Sequence, residues 1–298
     1  MNDFRIPLGT WVDGFIGWVT DTFGFLFDFI RAVFNGAYEG VDFLLVSPPF
    51  WAIIVIAAAL AFAIRGWKFA LGTIVGLTLI LGVDQWENAM DTLALVLVAS
   101  LLAIAFSVPL GILAAKSSTA SSIIRPVLDF MQTMPAFVYL IPALILFRVG
   151  VVPGIVATII FAMAPCVRLT ELGIRGVDHE VVEAGQAFGA SPWRILRQIQ
   201  LPLAMPTIMA GINQVIMLSL SMVVIAGMVG AGGLGAEVVA SLNRIDVALG
   251  FEAGLAVVIL AIYLDRLTAA LGQGDTPLSR FLGARKRRTQ QAQQALAA

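Results

Sequence analysis

Apolar residues run in long blocks along this chain, and the positions where charge returns cut them into membrane-length pieces. A hydrocarbon core about 30 Å thick takes roughly 17 to 25 helical residues. Seven blocks fit: 43–64, 67–83, 92–115, 130–147, 151–167, 205–228 and 248–266. Pro48 and Pro49 interrupt the first, and the second is short and glycine-rich. Ahead of them, Trp11, Phe15, Trp18, Phe23, Phe25, Phe27, Phe29 and Phe34 stand among regularly placed acids, with no charge-free run of spanning length. That pattern predicts one or two amphipathic helices lying along a membrane interface. The chain thus divides into an interfacial segment (1–48), an accessory transmembrane hairpin (49–84), a membrane domain (85–271) that opens after the acidic stretch DQWENAMD, and a basic tail (272–298).

The apolar pattern gives way to a polar island at 168–201, which holds four basic and four acidic residues and the only histidine, His179. Here Asp178 is placed to cap a helix that carries Glu180 and Glu183 near its start, where acids oppose the helix dipole favourably. The helix is expected to run to Ala187 or Phe188 and stop at Gly189. Ser191 then offers a second N-cap and Pro192 a first-turn residue with its φ already set. The second helix, carrying Trp193 to Ile199, is expected to end before Pro202. Two short helices meeting at Gly189 present Ala184, Ala187 and Phe188 inside a ring of charge, a form suited to a groove on a partner protein.

Composition settles the environment. Apolar residues make up 59% of the chain and charged ones 12%, with a mean hydropathy of +0.94, which marks a polytopic membrane protein rather than a soluble domain. The formal charge of −1 hides an asymmetry: with loops on alternate sides, 14 of the 18 basic residues share the side of the polar island and the C-terminal tail. Only Arg5, Arg31, Arg148 and Arg244 lie opposite. The positive-inside rule makes the first side cytoplasmic and leaves the N-terminal segment outside. The first 20 residues lack a basic stretch followed by an apolar core, so no cleavable signal peptide is expected. A lone Cys166 allows no intrachain disulfide and reads as a small packed residue.

Several chemistries are excluded by what the chain lacks. Glycines nowhere precede a Lys-Ser or Lys-Thr pair in a phosphate loop, so ATP hydrolysis by that route is not available to this chain alone. The stretch GMVGAGGLG at 227–235 lacks that lysine and reads as a close-packed bend. No HExxH or GxSxG supports a hydrolase. The island's charges cancel, whereas binding phosphate backbones requires a basic surplus, which argues against nucleic acid.

Within the spans, a charge at mid-bilayer costs about 2.5 to 3.5 kcal/mol, and the polar residues present are mostly uncharged. Gln132, Thr133, Tyr139, Asn213, Gln214, Ser219 and Ser221 form a candidate path for a small zwitterion or cation, although each also suits hydrogen bonding between helices. Asp129, Glu252 and Asp265 fall near predicted span ends. Pro135 and Pro142 are expected to kink the fourth span, and Pro153 and Pro165 to mark the ends of the fifth. The competing reading, a single-chain secondary transporter driven by an ion gradient, calls for titratable groups deep in the spans and usually an internal repeat.

The residues of the island carry a resemblance. Glu183-Ala184-Gly185, then Gly189 six positions after Glu183, then Ile199-Gln200-Leu201-Pro202, resemble the EAA loop of permease subunits in binding-protein-dependent ABC importers, with Gly185 where alanine is usual. Three longer stretches, RPVLDFMQTMPAFVYLIPAL at 125–144, FGASPWRILRQIQLPLAMPTIMAGINQ at 188–214 and LSMVVIAGMVGAGGLG at 220–235, resemble the permeases of glycine betaine/proline betaine osmoprotectant importers. The resemblance covers about 85–271. It implies an all-α type I ABC importer transmembrane domain with about seven transmembrane helices in the bacterial inner membrane. It also implies an ATPase-coupling surface of Glu183, Ala184, Gly185, Ala187, Phe188, Gly189, Leu201 and Pro202. The implied partners are a second permease copy, two ATP-binding subunits that hold the ATP and Mg, and a periplasmic substrate-binding protein that delivers a betaine-type solute. The chain itself is expected to bind no cofactor.

Overall fold

The computed structural model describes residues 7–273, and the basic cluster predicted for the tail lies outside the described residues. Among the described residues every regular element is helical. Helix α1 (Leu8–Val46) bends at Phe23, where φ is −112° and ψ is 17°. No residue of it is fully buried, and Trp11, Phe15, Trp18, Phe25 and Phe29 stand exposed. Its second half rests on the bundle through Phe34, Tyr38, Val41 and Leu45.

Two predicted spans turn out to be bent. The block 43–64 is not one straight helix: α1 gives way at Ser47–Pro49 to α2 (Phe50–Arg65), and the two axes differ by 99°. Ser47 is still helical, but Pro48 and Pro49 have no amide to continue the hydrogen-bond ladder, and Pro49 is extended at ψ 145°, so α1 ends there. The block 130–147 also breaks at a proline. Helix α5 (Ser118–Thr133) stops at Met134, extended with ψ 137° ahead of Pro135, and α6 (Ala136–Phe147) leaves at 100°. Thus Pro135 starts a helix rather than kinking one, while Pro142 sits inside α6.

Helix α3 (Trp67–Gly82) is apolar but only 16 residues long. Among the described residues four helices are long and apolar enough to cross a membrane unaided: α4 (Trp86–Lys116), α7 (Val151–Arg175), α9 (Pro192–Gly227) and α11 (Val247–Gln273). Counting each bent pair as one span raises the total to six. In place of the seven expected spans, the described residues hold four unbroken ones, two broken ones and a short α3.

Helices α4, α7 and α9 form the centre. Their facing positions are small, with Ala94, Ala99, Ala103 and Ser107 on α4 and Ala157, Ala162 and Cys166 on α7 all buried. A Cβ placed on Gly111 of α4 meets Thr170 Cβ at 2.5 Å, and one on Gly211 of α9 meets Cys166 Cα at 3.1 Å. Lipid-embedded helices gain little from burying apolar surface, so they associate through such close backbone approach. Pro165 lies inside α7 rather than at its end, because α7 continues eight residues past the predicted 167 into the polar island.

The glycine-rich bend after α9 is tight. A Cβ on Gly227 meets the Gly235 carbonyl carbon at 2.3 Å, and Thr92 Oγ1 accepts a 2.8 Å hydrogen bond from the Leu234 amide. It leads into α10 (Gly233–Arg244), a short helix that the sequence pattern does not predict, before α11 returns across the bundle.

Candidate functional site

At the opposite end of α9 from that bend, the polar island folds into a hairpin built by its own caps. Helix α8 (His179–Ala187) begins where Asp178 Oδ1 accepts from the Glu180 amide at 3.0 Å. Its end is a Schellman motif: Gly189 takes the left-handed conformation at φ +75°, the Ala190 amide donates to the Gly185 carbonyl at 3.1 Å, and the Gly189 amide donates to the Gln186 carbonyl at 2.8 Å. Ser191 Oγ then accepts from the Arg194 amide at 3.4 Å and opens α9 at Pro192.

The second helix does not end before Pro202. It passes through one π turn, Leu196–Gln200, and continues without a break to Gly227. Proline lacks an amide and its ring collides with the carbonyl of the preceding turn; the wider π turn just ahead of Pro202 gives that ring room.

The hairpin is an exposed platform. Glu183, Ala184, Ala187, Phe188 and Gly189 all face outward, and Phe188 is 92% exposed at the tip. Gly185 faces inward: a Cβ there meets Ile199 Cδ1 at 2.7 Å, so the small residue lets α8 lie against the start of α9. Leu201 is half-buried, and Pro202 is exposed on α9 beyond the π turn. His179 Nδ1 lies 3.0 Å from Glu183 Oε1 along the exposed face of α8.

Behind the hairpin lies a polar cluster that the sequence reading did not single out. Glu171 on α7 is only 3% exposed. Its Oε1 accepts from Ser121 Oγ at 2.7 Å and Arg125 Nη2 at 3.0 Å and lies 3.0 Å from Arg175 Nε, while its Oε2 accepts from Arg125 Nε at 3.3 Å. Arg175 Nη2 in turn donates to the Ala114 carbonyl in the last turn of α4 at 2.8 Å. One signal was present, since Arg168, Glu171 and Arg175 repeat at helical spacing along one face. On α5, Ser121, Arg125 and Asp129 repeat every four residues in the same way, but nothing in the sequence says that the two faces meet.

The seven candidate path residues do not form one group. Asn213 Nδ2 donates to Asp265 Oδ1 at 3.2 Å and its Oδ1 accepts from Thr268 Oγ1 at 2.5 Å, so it ties α9 to α11. Ser219 is fully buried. The Tyr139 hydroxyl donates to the Met131 carbonyl across the bend between α5 and α6. Gln132 and Thr133 are exposed at the end of α5. Gln214 and Ser221 lie seven residues apart on an exposed stripe of α9 that includes Ala210 and Met217, beside the face on which Leu140 of α6 packs against Met222.

Comparison with known proteins agrees with this architecture. The family described as binding-protein-dependent transport system inner membrane component matches residues 107–274. The chain is 49% identical over 272 residues to the glycine betaine/carnitine transport permease protein GbuB of Listeria monocytogenes, covering 90% of this chain and 96% of that one. It is 49% identical to the glycine betaine/proline betaine transport system permease protein ProW of Escherichia coli, covering 90% and 76%. It is also 49% identical to the glycine betaine transport system permease protein OpuAB of Bacillus subtilis, covering 89% and 94%. Among solved structures, inward-facing MetNI methionine ABC transporter chains superpose with TM-scores of 0.56 and 0.59 at 20% and 19% identity, covering 62% and 64% of this chain and 92% and 95% of theirs. The family match takes in the last part of α4, all of α7 and α9, and the hairpin, and the chain belongs to the binding-protein-dependent transport system inner membrane components.

Proposed function

We propose that this chain is the permease through which an ATP-driven importer moves a betaine-type compatible solute, glycine betaine foremost, across the inner membrane. The observation that supports the solute class is the near-half identity, over about nine-tenths of the chain, to three permeases whose names share glycine betaine. Two copies of the chain pair in the membrane over two ATP-binding subunits, which hold ATP and Mg, and a periplasmic binding protein delivers the solute. The N-terminal segment is periplasmic and the hairpin and tail are cytoplasmic, as the distribution of basic residues favours.

In this reading the α8–α9 hairpin receives the stroke of the ATPases. Phe188, Ala184 and Ala187 enter a groove on the ATP-binding subunit, Glu183 sets the register, and Gly189 holds the tip in shape. Gly185 keeps α8 against α9, and Leu201 and Pro202 pass the motion into the long helix. Gln132, Thr133, Gln214 and Ser221, being exposed, are the residues we assign to the solute path; Asn213 and Ser219 serve packing. Uncharged polar groups hold a zwitterion weakly enough to release it.

Co-expression with a cognate ATPase and a glycine betaine receptor, followed by reconstitution, tests the assignment. The complex is expected to copurify and to take up labelled glycine betaine only with ATP and loaded receptor present. Failure of the chain to copurify with the ATPase, or uptake by this chain alone that collapses with an ion gradient, overturns it.

A further inference from the structure

Helix α5 is joined to α7 by two ion pairs about one turn apart. Arg125 of α5 meets Glu171 of α7 at 3.0 Å, and Asp129 of α5 meets Arg168 of α7. The order of charges is crossed: each helix carries one cation and one anion, and the helices run antiparallel, since the number rises on α5 as it falls on α7. Apolar contact adds one small cluster, in which Leu128, with Ile124 and Met131 beside it, packs against Ala164 and Val167 of α7; such contact does not by itself distinguish one register from the next. Only Ser121 and Leu128 are buried on it, while Ile123, Val127 and Phe130 are exposed.

Crossed charges fix register. Sliding α5 by one turn brings Asp129 towards Glu171, or Arg125 towards Arg168, and like charges then oppose the slip. Glu171 strengthens the effect because it is buried. A carboxylate out of water depends on its charged partners, and losing them leaves an uncompensated charge.

Position along the chain gives this joint a consequence. Three residues after Arg175, Asp178 caps α8, so the anchored end of α7 leads directly into the hairpin. At its other end α5 turns through 100° at Met134 into α6, whose Leu140 and Tyr139 join one apolar cluster with Ala157 of α7 and Met222 of α9. The joint therefore stands between the hairpin and the broken helix.

We propose that the crossed pairs Arg125–Glu171 and Asp129–Arg168 make α5 a strap that moves as one body with the end of α7 and with α8, so that displacement of the hairpin is delivered to the bend at Met134 and to α6. Glu171 is its positioning residue. The transmission part of the inference rests on the coupling role given above to the hairpin. The register part stands without it.

The exposed pair permits the test, because Arg168 and Asp129 are partly in water and their replacement spares the buried Glu171. In the reconstituted complex, Arg168→Asp and Asp129→Arg are each expected to lower solute moved per ATP by at least about threefold, with ATPase copurification retained. The double variant, which restores the pair in reverse, is expected to return to within about twofold of the parent. Single variants with unchanged stoichiometry, or a double variant as impaired as either single one, overturn the transmission. Register is read separately on the full-length permease in nanodiscs, without ATPase, from spin labels at Ser122→Cys and Leu172→Cys in a Cys166→Ala background. One narrow distance is expected in the parent, a broad distribution in Arg168→Asp, and a narrow one again in the double variant. A broad parent distribution, or no recovery in the double variant, overturns the strap itself.

Discussion

Replacing Gly189 by valine tests the hairpin where its geometry is most demanding. Gly189 holds φ at +75°, and nothing lies within 4 Å of an added Cβ. The cost is therefore conformational rather than steric. A left-handed backbone costs an L-residue about 1–2 kcal/mol, and a β-branched one sits at the upper end because its Cβ substituents crowd the backbone. The chain escapes this strain only by unwinding the last turn of α8, which gives up the bonds from Ala190 to Gly185 and from Gly189 to Gln186, each contributing about 1 kcal/mol. Either way the ordered hairpin loses about 1–2 kcal/mol, a factor of roughly 5 to 30 in the equilibrium that orders it. Because Phe188 sits next to the affected residue, the loss falls on the surface proposed to dock. The expected result is a permease that inserts normally, keeps the thermal stability of its bundle and binds the ATPase several-fold more weakly, with less solute moved per ATP. Gly189→Ala is expected to fall between parent and valine. A valine variant with parental ATPase affinity and parental uptake per ATP refutes the reasoning.

Other substitutions separate the roles of neighbouring residues. Phe188→Ala removes an exposed ring that packs on nothing else in the hairpin, and is expected to weaken copurification with the ATPase while leaving the melting temperature of the permease unchanged. Gly185→Ala is expected to be accepted, since the Cβ meets only the flexible end of Ile199 and alanine is a better helix former by about 1 kcal/mol; Gly185→Leu is expected to splay α8 from α9, seen as new protease sensitivity at the hairpin. Glu171→Ala strips Arg125 and Arg175 of their shared acceptor, and is expected to lower stability by about 1.5–3 kcal/mol, the contribution typical of hydrogen bonds to charged groups, measured by thermal unfolding in detergent. Gly235→Ala drives a Cβ to 2.1 Å from the Val223 carbonyl oxygen, and is expected to reduce folded yield sharply, because backbone rather than a side-chain tip must move.

The membrane pattern was legible where a helix is determined by its own residues and less so where prolines intervene. Hydropathy located the long helices of the bundle, but it cannot distinguish an apolar run that crosses straight from one that turns at Met134 into a second helix. The information was nevertheless local: Pro48, Pro49 and Pro135 each stand at a break, Pro135 with Met134 extended before it, and Pro48 and Pro49 as two residues without an amide directly after a still-helical Ser47. Pro202 and Pro206 show why proline alone is an ambiguous sign. Both lie in α9 without ending it, one after a widened π turn and the other within the continuing helix. Helix α10 escaped notice because its sequence, GLGAEVVASLNR, is neither long nor apolar enough to register as a span.

The hairpin and the cluster behind it differ in the same respect. Asp178, Gly189, Ser191 and Pro192 specify three helix ends through bonds that reach no further than five residues, so the shape of the hairpin was readable in advance. Glu171 and Ser121 are fifty positions apart, and no periodicity connects them. Their meeting depends on how α5 lies against α7, which in turn depends on a bend hydropathy does not see. A hairpin whose form is encoded by its own caps keeps that form wherever the bundle carries it, and can deliver force without first being folded by its surroundings. What the bundle has to supply is attachment. Here it does so with Arg175 on the last turn of α4, Ile199 against Gly185, and the 2.8 Å hydrogen bond from Lys116 to Gln200. Those contacts reach α4, α8 and α9 from residues within a few turns of the tip, so the displacement of Phe188 proposed above would have short, polar and close-packed routes into those helices.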